Sequence, residues 1–517
     1  MYLHAVRQFF NRHLEVIFYT VGSALVAIWT LLRFFSERTI FDLVGQQLLT
    51  HQWLHGNIEG AQLGVTHYIP KMLLLYTPLD ALPGSPRLHL VLLTIFINIA
   101  TFIGIGILLK KLLIEFTVDT QRVHIALLWL ATVVGSVFWI HFANSRNLEV
   151  LGGMLFLLLG IRLLKAPTKD SSLLLMIFAG VLFFADSLQV YMTTLPLLCY
   201  AAYNTWRDRR AWQAAATLSA IVVGGLVFSK LLFILVAHVF SITFLQPDNT
   251  SLSLSVTDVS HTIKAYVHLY AGGADAGRIR EILNIIFICG MFTLFIYGVI
   301  RKRINSQLAV LSGFIIIIDS AIYFVSGQAN QPTTERYLIM TLPALLLVVA
   351  SASALVTKHQ SKSILYTCVM FLFAFNFLSL SKVLADNWNT AFPKDNHLMS
   401  VVRYERAHSQ SVTYASMDTA IPADYLSNAS LLPLTCVEGH VYKNNTFFDK
   451  AAFKKNEVQA RQNVAIIFDG AQITNTPHVC TIDSTIKQLG LPLQLDHTDD
   501  GSIVAMYPQA IIHELRY

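Results

Sequence analysis

Eleven apolar stretches alternate with polar connections between residues 14 and 383, and this alternation confines most of the chain to one class of fold. The stretches are 14–34, 88–109, 123–142, 148–164, 172–187, 188–204, 213–238, 282–300, 307–326, 337–356 and 363–383. A spanning helix needs about 20 mostly apolar residues. The fourth, fifth and sixth stretches are short by that measure, and a tight turn is expected at Ala185–Asp186–Ser187. In hydrocarbon every backbone N–H and C=O must be paired internally, so such stretches become helices. With 54% apolar and 13% charged residues, against about 25% charged in soluble domains, a soluble enzyme, a disordered chain and a nucleic-acid-binding domain are excluded. The first stretch is too long for a signal peptide, and Arg33–Arg38 after it has no small-residue cleavage site.

Charge sets the expected orientation. Alternate connections carry Arg7, Arg12, Lys110, Lys111, Arg122, Arg162, Lys165, Lys169, Arg207, Arg209, Arg210, Arg301, Lys302, Arg303, Lys358 and Lys362, which is 16 basic residues in about 55. The other set holds 8 in about 110: Arg38, Lys71, Arg87, Arg146, Lys264, Arg278, Arg280 and Arg336. Basic loops stay in the cytoplasm, so the N-terminus is expected inside and, with an odd number of spans, the C-terminal region outside. Residues 1–384 hold 27 Lys/Arg and 17 Asp/Glu, whereas 385–517 hold 10 and 14. The division is therefore a basic membrane domain, 1–384, and a mildly acidic extracytoplasmic domain, 385–517.

Two external loops are large, 35–87 and 240–281. The first contains amphipathic runs near 41–54 and 66–82, expected along the membrane interface. The tail reads as a small α/β domain. SVTYAS (411–416) and NVAIIFD (463–469) are strand-like, Ser484–Gly490 is helical, and 491–507 forms a hairpin turning at Asp499–Asp500–Gly501. Cys199, Cys289 and Cys368 lie in apolar spans, where cysteine is a small hydrophobe. Cys436 and Cys480 both fall outside, a compartment that permits a disulfide; two unpaired thiols are the other reading. No segment has zinc-ligand spacing.

Charges inside a membrane usually face a cavity or one another. In this topology Asp42, Arg146, Glu149, Asp186, Lys230, Asp319 and Arg336 converge on the outer membrane level. That pattern points to an amphiphilic substrate whose polar head is handled there. Each residue also has a structural reading. Asp42 suits a helix N-cap, Glu149 a cap or an i, i+3 partner of Arg146, and Asp186 a helix break. Lys230 suits a snorkelling side chain, Asp319 a buried pair with Lys230 or Arg336, and Arg336 an interfacial anchor.

The segment 41–87 carries Asp42, then Leu48–Leu49, Tyr68–Ile69–Pro70 and Pro78, in the order of the first external loop of GT-C glycosyltransferases, which it resembles. This is the superfamily of protein O-mannosyltransferases and lipid A aminoarabinose transferases. SRNLEVLGGMLFLLLGIRLLK (145–165) looks like the family's span with a Glu at its head. ADSLQVYMTTLPLL (185–198) is similar to its broken helix pair, and ERYLIMTLPALLLVVASA (335–352) to its late Arg-Tyr…Pro span. Many relatives have a paired acid after the first span, whereas Asp42 lies between Phe41 and Leu43; a Lys often stands where Asp186 does.

The resemblance implies transfer of a sugar from a polyprenyl-phosphate donor to a glycan, lipid or protein acceptor, with inversion, at the extracytoplasmic face. An acceptor hydroxyl needs a carboxylate base; Asp42 is the first choice and Glu149 the second. A departing lipid phosphate needs fixed positive charge, assigned to Arg336, then Arg146 and Lys71, with Tyr337 beside Arg336. His67, Tyr68, Asp186 and Asp319 complete the expected substrate cavity. Some relatives use a divalent metal, although no ligand spacing here argues for one. The contacts expected are with membrane lipids and not nucleic acid. Two other classes fit a chain with charged groups in a membrane: a transporter or flippase of a lipid-linked solute, and a non-catalytic cell-envelope scaffold.

Overall fold

A computed structural model describes residues 16, 18–28, 30–31, 41–54, 62–63, 69, 75–80, 82–118, 123–133, 147–240, 243–244, 256–270, 278–325, 334–356, 359–387, 396–408, 412–427, 431–437, 439–443, 463–469, 472–475 and 478–515. A first run of helices comprises α1 (Phe41–Leu54), α2 (Pro86–Glu115), α3 (Val123–Val133), α4 (Asn147–Lys165), α5 (Lys169–Ala185), α6 (Leu195–Arg207) and α7 (Trp212–Phe240). Then come α8 (Val256–Tyr270), α9 (Arg278–Ile300), α10 (Ser306–Val325), α11 (Leu342–Ala354) and α12 (His359–Asn387). The C-terminal region adds α13 (Asn396–Ala407), α14 (Met417–Ser427) and α15 (Ile482–Leu489).

Helix occurs in each of the eleven apolar stretches. The expected count of eleven spans is nevertheless corrected: among the described residues four helices are long and apolar enough to cross a membrane, Leu88–Glu115, Arg209–Val239, Glu281–Ile300 and Ser306–Val325. Several of the others are short apolar helices, such as Phe18–Ile28, Leu338–Ala354 and Ser363–Phe375, while α4 carries Glu149, Arg162 and Lys165. The chain forms two compact units. One comprises 1–33, 94–232 and 249–389, and the other 34–93, 233–248 and 390–517.

The first unit is a helical bundle whose core is built from α3, α4, α10 and α11; twelve of the thirteen α11 residues, Leu342 to Ser353, are buried. Helix ends follow local chemistry. The Thr168 side chain accepts the Ser171 N–H at the start of α5, and Pro196 and Pro343 stand at the first turns of α6 and α11, where a missing N–H costs nothing.

The second unit contains a six-stranded sheet. Its strands are β3 (Val412–Ser416), β4 (Leu431–Val437), β5 (His440–Lys443), β6 (Asn463–Phe468), β9 (Gln494–His497) and β10 (Ile503–Pro508), counted after the two-residue β1 (Gln62–Leu63) and β2 (Thr243–Phe244) and with the hairpin β7 (Gln472–Asn475) and β8 (His478–Thr481). The order is β5-β4-β3-β6-β10-β9, with β3 parallel to both β4 and β6 and the remaining pairs antiparallel. All five β3 residues are buried, as a central strand covered on both faces requires. The two strands and the helix expected at 411–416, 463–469 and 484–490 are β3, β6 and α15, and the expected hairpin is β9–β10, with Gly501 at φ +84° in its turn. Cys436 of β4 and Cys480 of β8 form a disulfide. Residues 41–54 do not stand apart: α1 packs on α14 with Leu48 and Leu49 buried, and β1 pairs with β2 in parallel.

Candidate functional site

The helical unit buries a small set of polar side chains where its helices depart from α geometry. Between α5 and α6 the chain forms a π turn over Val190–Thr194, and Leu195 N–H bonds back to Val190 O. The cause is local. Pro196 has no N–H to give to Met192, so the regular register cannot continue and the turn widens. Ahead of α11 lies a 3₁₀ turn, Thr334–Thr341, followed by Leu342–Pro343, the same Leu-Pro pair that restarts α6. Both irregular turns pack against α10.

Around these turns the polar groups meet. Thr193 Oγ1 donates to Gln189 Oε1 at 2.7 Å, and Gln189 Nε2 points at Met340 Sδ at 3.7 Å. Gly153 of α4 makes this approach feasible. A Cβ there would lie 2.6 Å from Met340 Cε, 2.9 Å from Thr193 Oγ1 and 3.0 Å from Gln189 Oε1. Glu149 lies one turn earlier on the same face of α4 and is 4% exposed. On the other side, Tyr270 of α8 donates to Leu338 O at 3.0 Å and lies 2.8 Å from Thr341 Oγ1, which holds the 3₁₀ turn. Tyr266, one turn earlier, shares a hydrogen bond of 2.7 Å with Ser320. Beside Ser320, Asp319 is fully buried, and among the described residues neither carboxylate oxygen has a hydrogen-bond partner. Leaving an ionisable group so placed is costly, and within a membrane it marks a functional position by default.

The structure places the expected residues unevenly. Asp42 is the second residue of α1, inside its first turn rather than its N-cap. Asp186 does mark the break: it caps α5, and its Oδ1 accepts the Leu188 N–H at 3.0 Å. Lys230 is exposed on α7, as a snorkelling side chain would be, and Asp319 does not pair with it. Arg336 and Tyr337 belong to the 3₁₀ turn, although their side chains lie outside the described residues. Arg146, His67, Tyr68 and Lys71 also lie outside them. Among the described residues no group of three His, Cys, Asp or Glu is placed to hold a metal ion. The structure thus gathers Glu149, Asp319 and the Arg336 turn into one bundle, together with Gln189, Thr193, Tyr266, Tyr270 and Thr341, which the sequence did not single out. Tyr266 and Tyr270 had a legible signal in their i, i+4 spacing on the helix Val256–Tyr270.

No family model matches the sequence, and no curated protein matches it. Solved structures do. The apo structure of ArnT from Cupriavidus metallidurans superposes with a TM-score of 0.56 at 13% identity, covering 96% of this chain and 98% of that one. The same protein bound to undecaprenyl phosphate gives 0.57 at 12% identity, over 95% and 97%. At this identity the shared property is the fold, and it extends over nearly the whole of both chains.

Proposed function

We propose that this chain is a GT-C-type membrane glycosyltransferase that moves a sugar from a polyprenyl-phosphate donor to a glycan, lipid or protein acceptor at the extracytoplasmic face. The observation that carries this reading is the end-to-end fold shared with a protein whose structure holds undecaprenyl phosphate. The basic-loop asymmetry supports a cytoplasmic N-terminus and an external C-terminal domain. The buried carboxylates and the broken helices at the bundle's polar cluster support chemistry at that site.

In the proposed reaction the acceptor oxygen attacks the anomeric carbon from the face opposite the lipid phosphate. A carboxylate, Asp42 first and Glu149 second, takes the hydroxyl proton as the new C–O bond forms. The bond from the anomeric carbon to the phosphate oxygen breaks, and the lipid phosphate leaves with that electron pair. Negative charge then grows on the phosphate, where Arg336 acts, with Arg146, Lys71 and Tyr337 as further contacts; guanidinium matches phosphate oxygens bidentately. His67, Tyr68, Asp186 and Asp319 line the sugar cavity in this reading, Asp186 by shaping the turn that carries Gln189. No step is assigned to a metal.

The test is sugar transfer in membranes containing this chain, with a panel of labelled polyprenyl-phosphate sugars, beside Asp42→Asn, Glu149→Gln and Arg336→Ala. Transfer by the wild type that falls at least about a hundredfold in Asp42→Asn at equal protein level would support both enzyme and base. Equal transfer in Asp42→Asn with loss in Glu149→Gln would move the base to Glu149. Carrier binding without turnover of any donor would replace the enzyme by a lipid-linked solute transporter.

A further inference from the structure

The helical unit carries a strongly basic surface that has no part in the transfer reaction. It lies where three of the four membrane-length helices end: α7 begins there, α9 finishes there and α10 starts back. Two tight connections meet at this corner. From α6 the chain crosses to α7 through a 3₁₀ turn, Arg209–Ala211, whose Asp208 cap accepts the Arg210 N–H at 3.0 Å. From α9 it turns over residues 301–305 into α10. Arg207 Nη1 donates to Ser306 Oγ at 3.4 Å and ties the two connections together. All of these residues belong to one unit.

Local chemistry turns the cations outward. Ile304 is buried, and Asn305 caps α10: its Oδ1 accepts the Gln307 N–H at 2.9 Å while its Nδ2 donates to Phe116 O at 3.1 Å. Between this anchor and α9, Lys302 takes the left-handed conformation at φ +54°, and the Arg303 N–H returns to Gly298 O at 2.8 Å. Such a turn closes a helix, here with a lysine where glycine is commoner. Arg301, Lys302 and Arg303 are consequently exposed, as are Arg207, Arg209 and Arg210 in the other connection. The Arg301 guanidinium stands 5.6 Å from the centre of the Tyr297 ring, which keeps it at the end of α9.

The contrast with another helix end shows what this surface lacks. At the ends of α2 and α4, Arg162 and Lys165 share Glu115 at 2.8 and 3.0 Å, so those cations are compensated within the fold. Among the described residues none of the six cations at the corner forms an ion pair, and Asp208, the one acid between them, caps the 3₁₀ turn. Like charges gathered in this way raise a positive potential that an anion from outside relieves. The flanks are apolar. Trp206 and Trp212 are 81% and 57% exposed, and Ile300, beside Arg301, is 73% exposed. Indoles at the end of a spanning helix belong at the membrane interface. A soluble anion gains nothing from them, whereas a phospholipid sets its phosphate against the cations and its glycerol and acyl groups against the apolar flank. We infer that this corner binds an anionic phospholipid of the surrounding leaflet, its phosphate held by the α6–α7 and α9–α10 connections.

This site does not rest on the transfer reaction. Its test is native mass spectrometry of the full, delipidated chain in detergent, titrated with dioleoylphosphatidylglycerol, dioleoylphosphatidylcholine, glycerol phosphate and polyglutamate. Phosphatidylglycerol should bind at least about tenfold more tightly than phosphatidylcholine. Arg209→Gln/Arg303→Gln should remove most of that preference, at about fivefold per charge near a membrane surface. Lys111→Gln/Lys169→Gln takes the same charge from exposed positions on α2 and α5 and should keep the preference. The thermal midpoint in detergent checks that each variant is folded. If Arg209→Gln/Arg303→Gln unfolds, Arg210→Gln decides the matter alone. The inference is overturned if phosphatidylcholine binds as tightly, if folded variants bind as the wild type does, or if the Lys111/Lys169 pair loses the preference equally. It is also overturned if glycerol phosphate or polyglutamate binds more tightly than the lipid, which would assign the corner to a soluble anion or an acidic protein.

Discussion

Reducing the Cys436–Cys480 bond should loosen the entire six-stranded sheet, and the size of the effect follows from the chain it closes. The two cysteines are 44 residues apart in sequence and almost fully buried, joining central-sheet strand β4 to the β7–β8 hairpin. A crosslink of that span removes loop-closure entropy from the unfolded chain worth about 4 kcal/mol at room temperature. In a cooperative unit the slowest-exchanging amides open only with the whole sheet. Those of β3 and β6 should therefore exchange about 10³-fold faster once the bond is gone, at roughly 1.4 kcal/mol per tenfold. The assay is hydrogen exchange read by mass spectrometry on the full chain in detergent, oxidised and reduced, beside Cys436→Ala/Cys480→Ala. Reduction isolates the crosslink. The double variant also loses two buried sulfur atoms, so it should exchange at least as fast. Acceleration below about tenfold, with mass confirming the reduced state, would refute the reasoning: the sheet would then be opening in pieces that the bond does not span.

Two further outcomes are expected. Asp319→Leu should leave the bundle's thermal midpoint in detergent equal or higher, because it replaces a buried carboxyl that has no partner among the described residues by an apolar group of similar size. Sugar transfer should fall at least about tenfold in the same variant, and a loss of stability of more than about 1 kcal/mol would instead give Asp319 a structural role. Asp500 has its pKa depressed to about 2 in the folded chain, so the stability it adds is present above about pH 4 and is lost as pH falls through about 2. After solvent screening its worth is about 1 kcal/mol. The stability gap between wild type and Asp500→Asn, measured by amide exchange of β3, should close over that window; a gap unchanged down to pH 2 would contradict it.

How legible the molecule was differs by region. The β9–β10 hairpin could be read because alternating residues and Asp499–Asp500–Gly501 act locally, and Gly501 adopts the positive φ such a turn needs. The helix break at Asp186 was equally local, set by an Asx-type bond and by Pro196 ten residues on. The spans were harder. Hydropathy located helix at every apolar stretch, but it does not separate a helix that crosses a bilayer from one shortened by a π or 3₁₀ turn. Lys230 is exposed on α7, as the snorkelling reading expects, whereas its alternative as a partner of Asp319 turned on which face of α7 it occupies, which depth in sequence does not say.

The sequence by itself determined a membrane-embedded helical bundle, its charge asymmetry and the alternating elements of an α/β domain. These follow from apolar run length, turn chemistry and strand period, all properties of neighbouring residues. Only the tertiary structure decided that α1 rests on α14, that Gly153 admits Gln189, Thr193 and Met340 to the face of Glu149, and that Tyr266 and Tyr270 meet Ser320 and Thr341. It likewise brought His397 to Asp500 across 103 residues. Such contacts depend on which faces pack when distant segments exclude lipid or water together, and no local pattern encodes that choice.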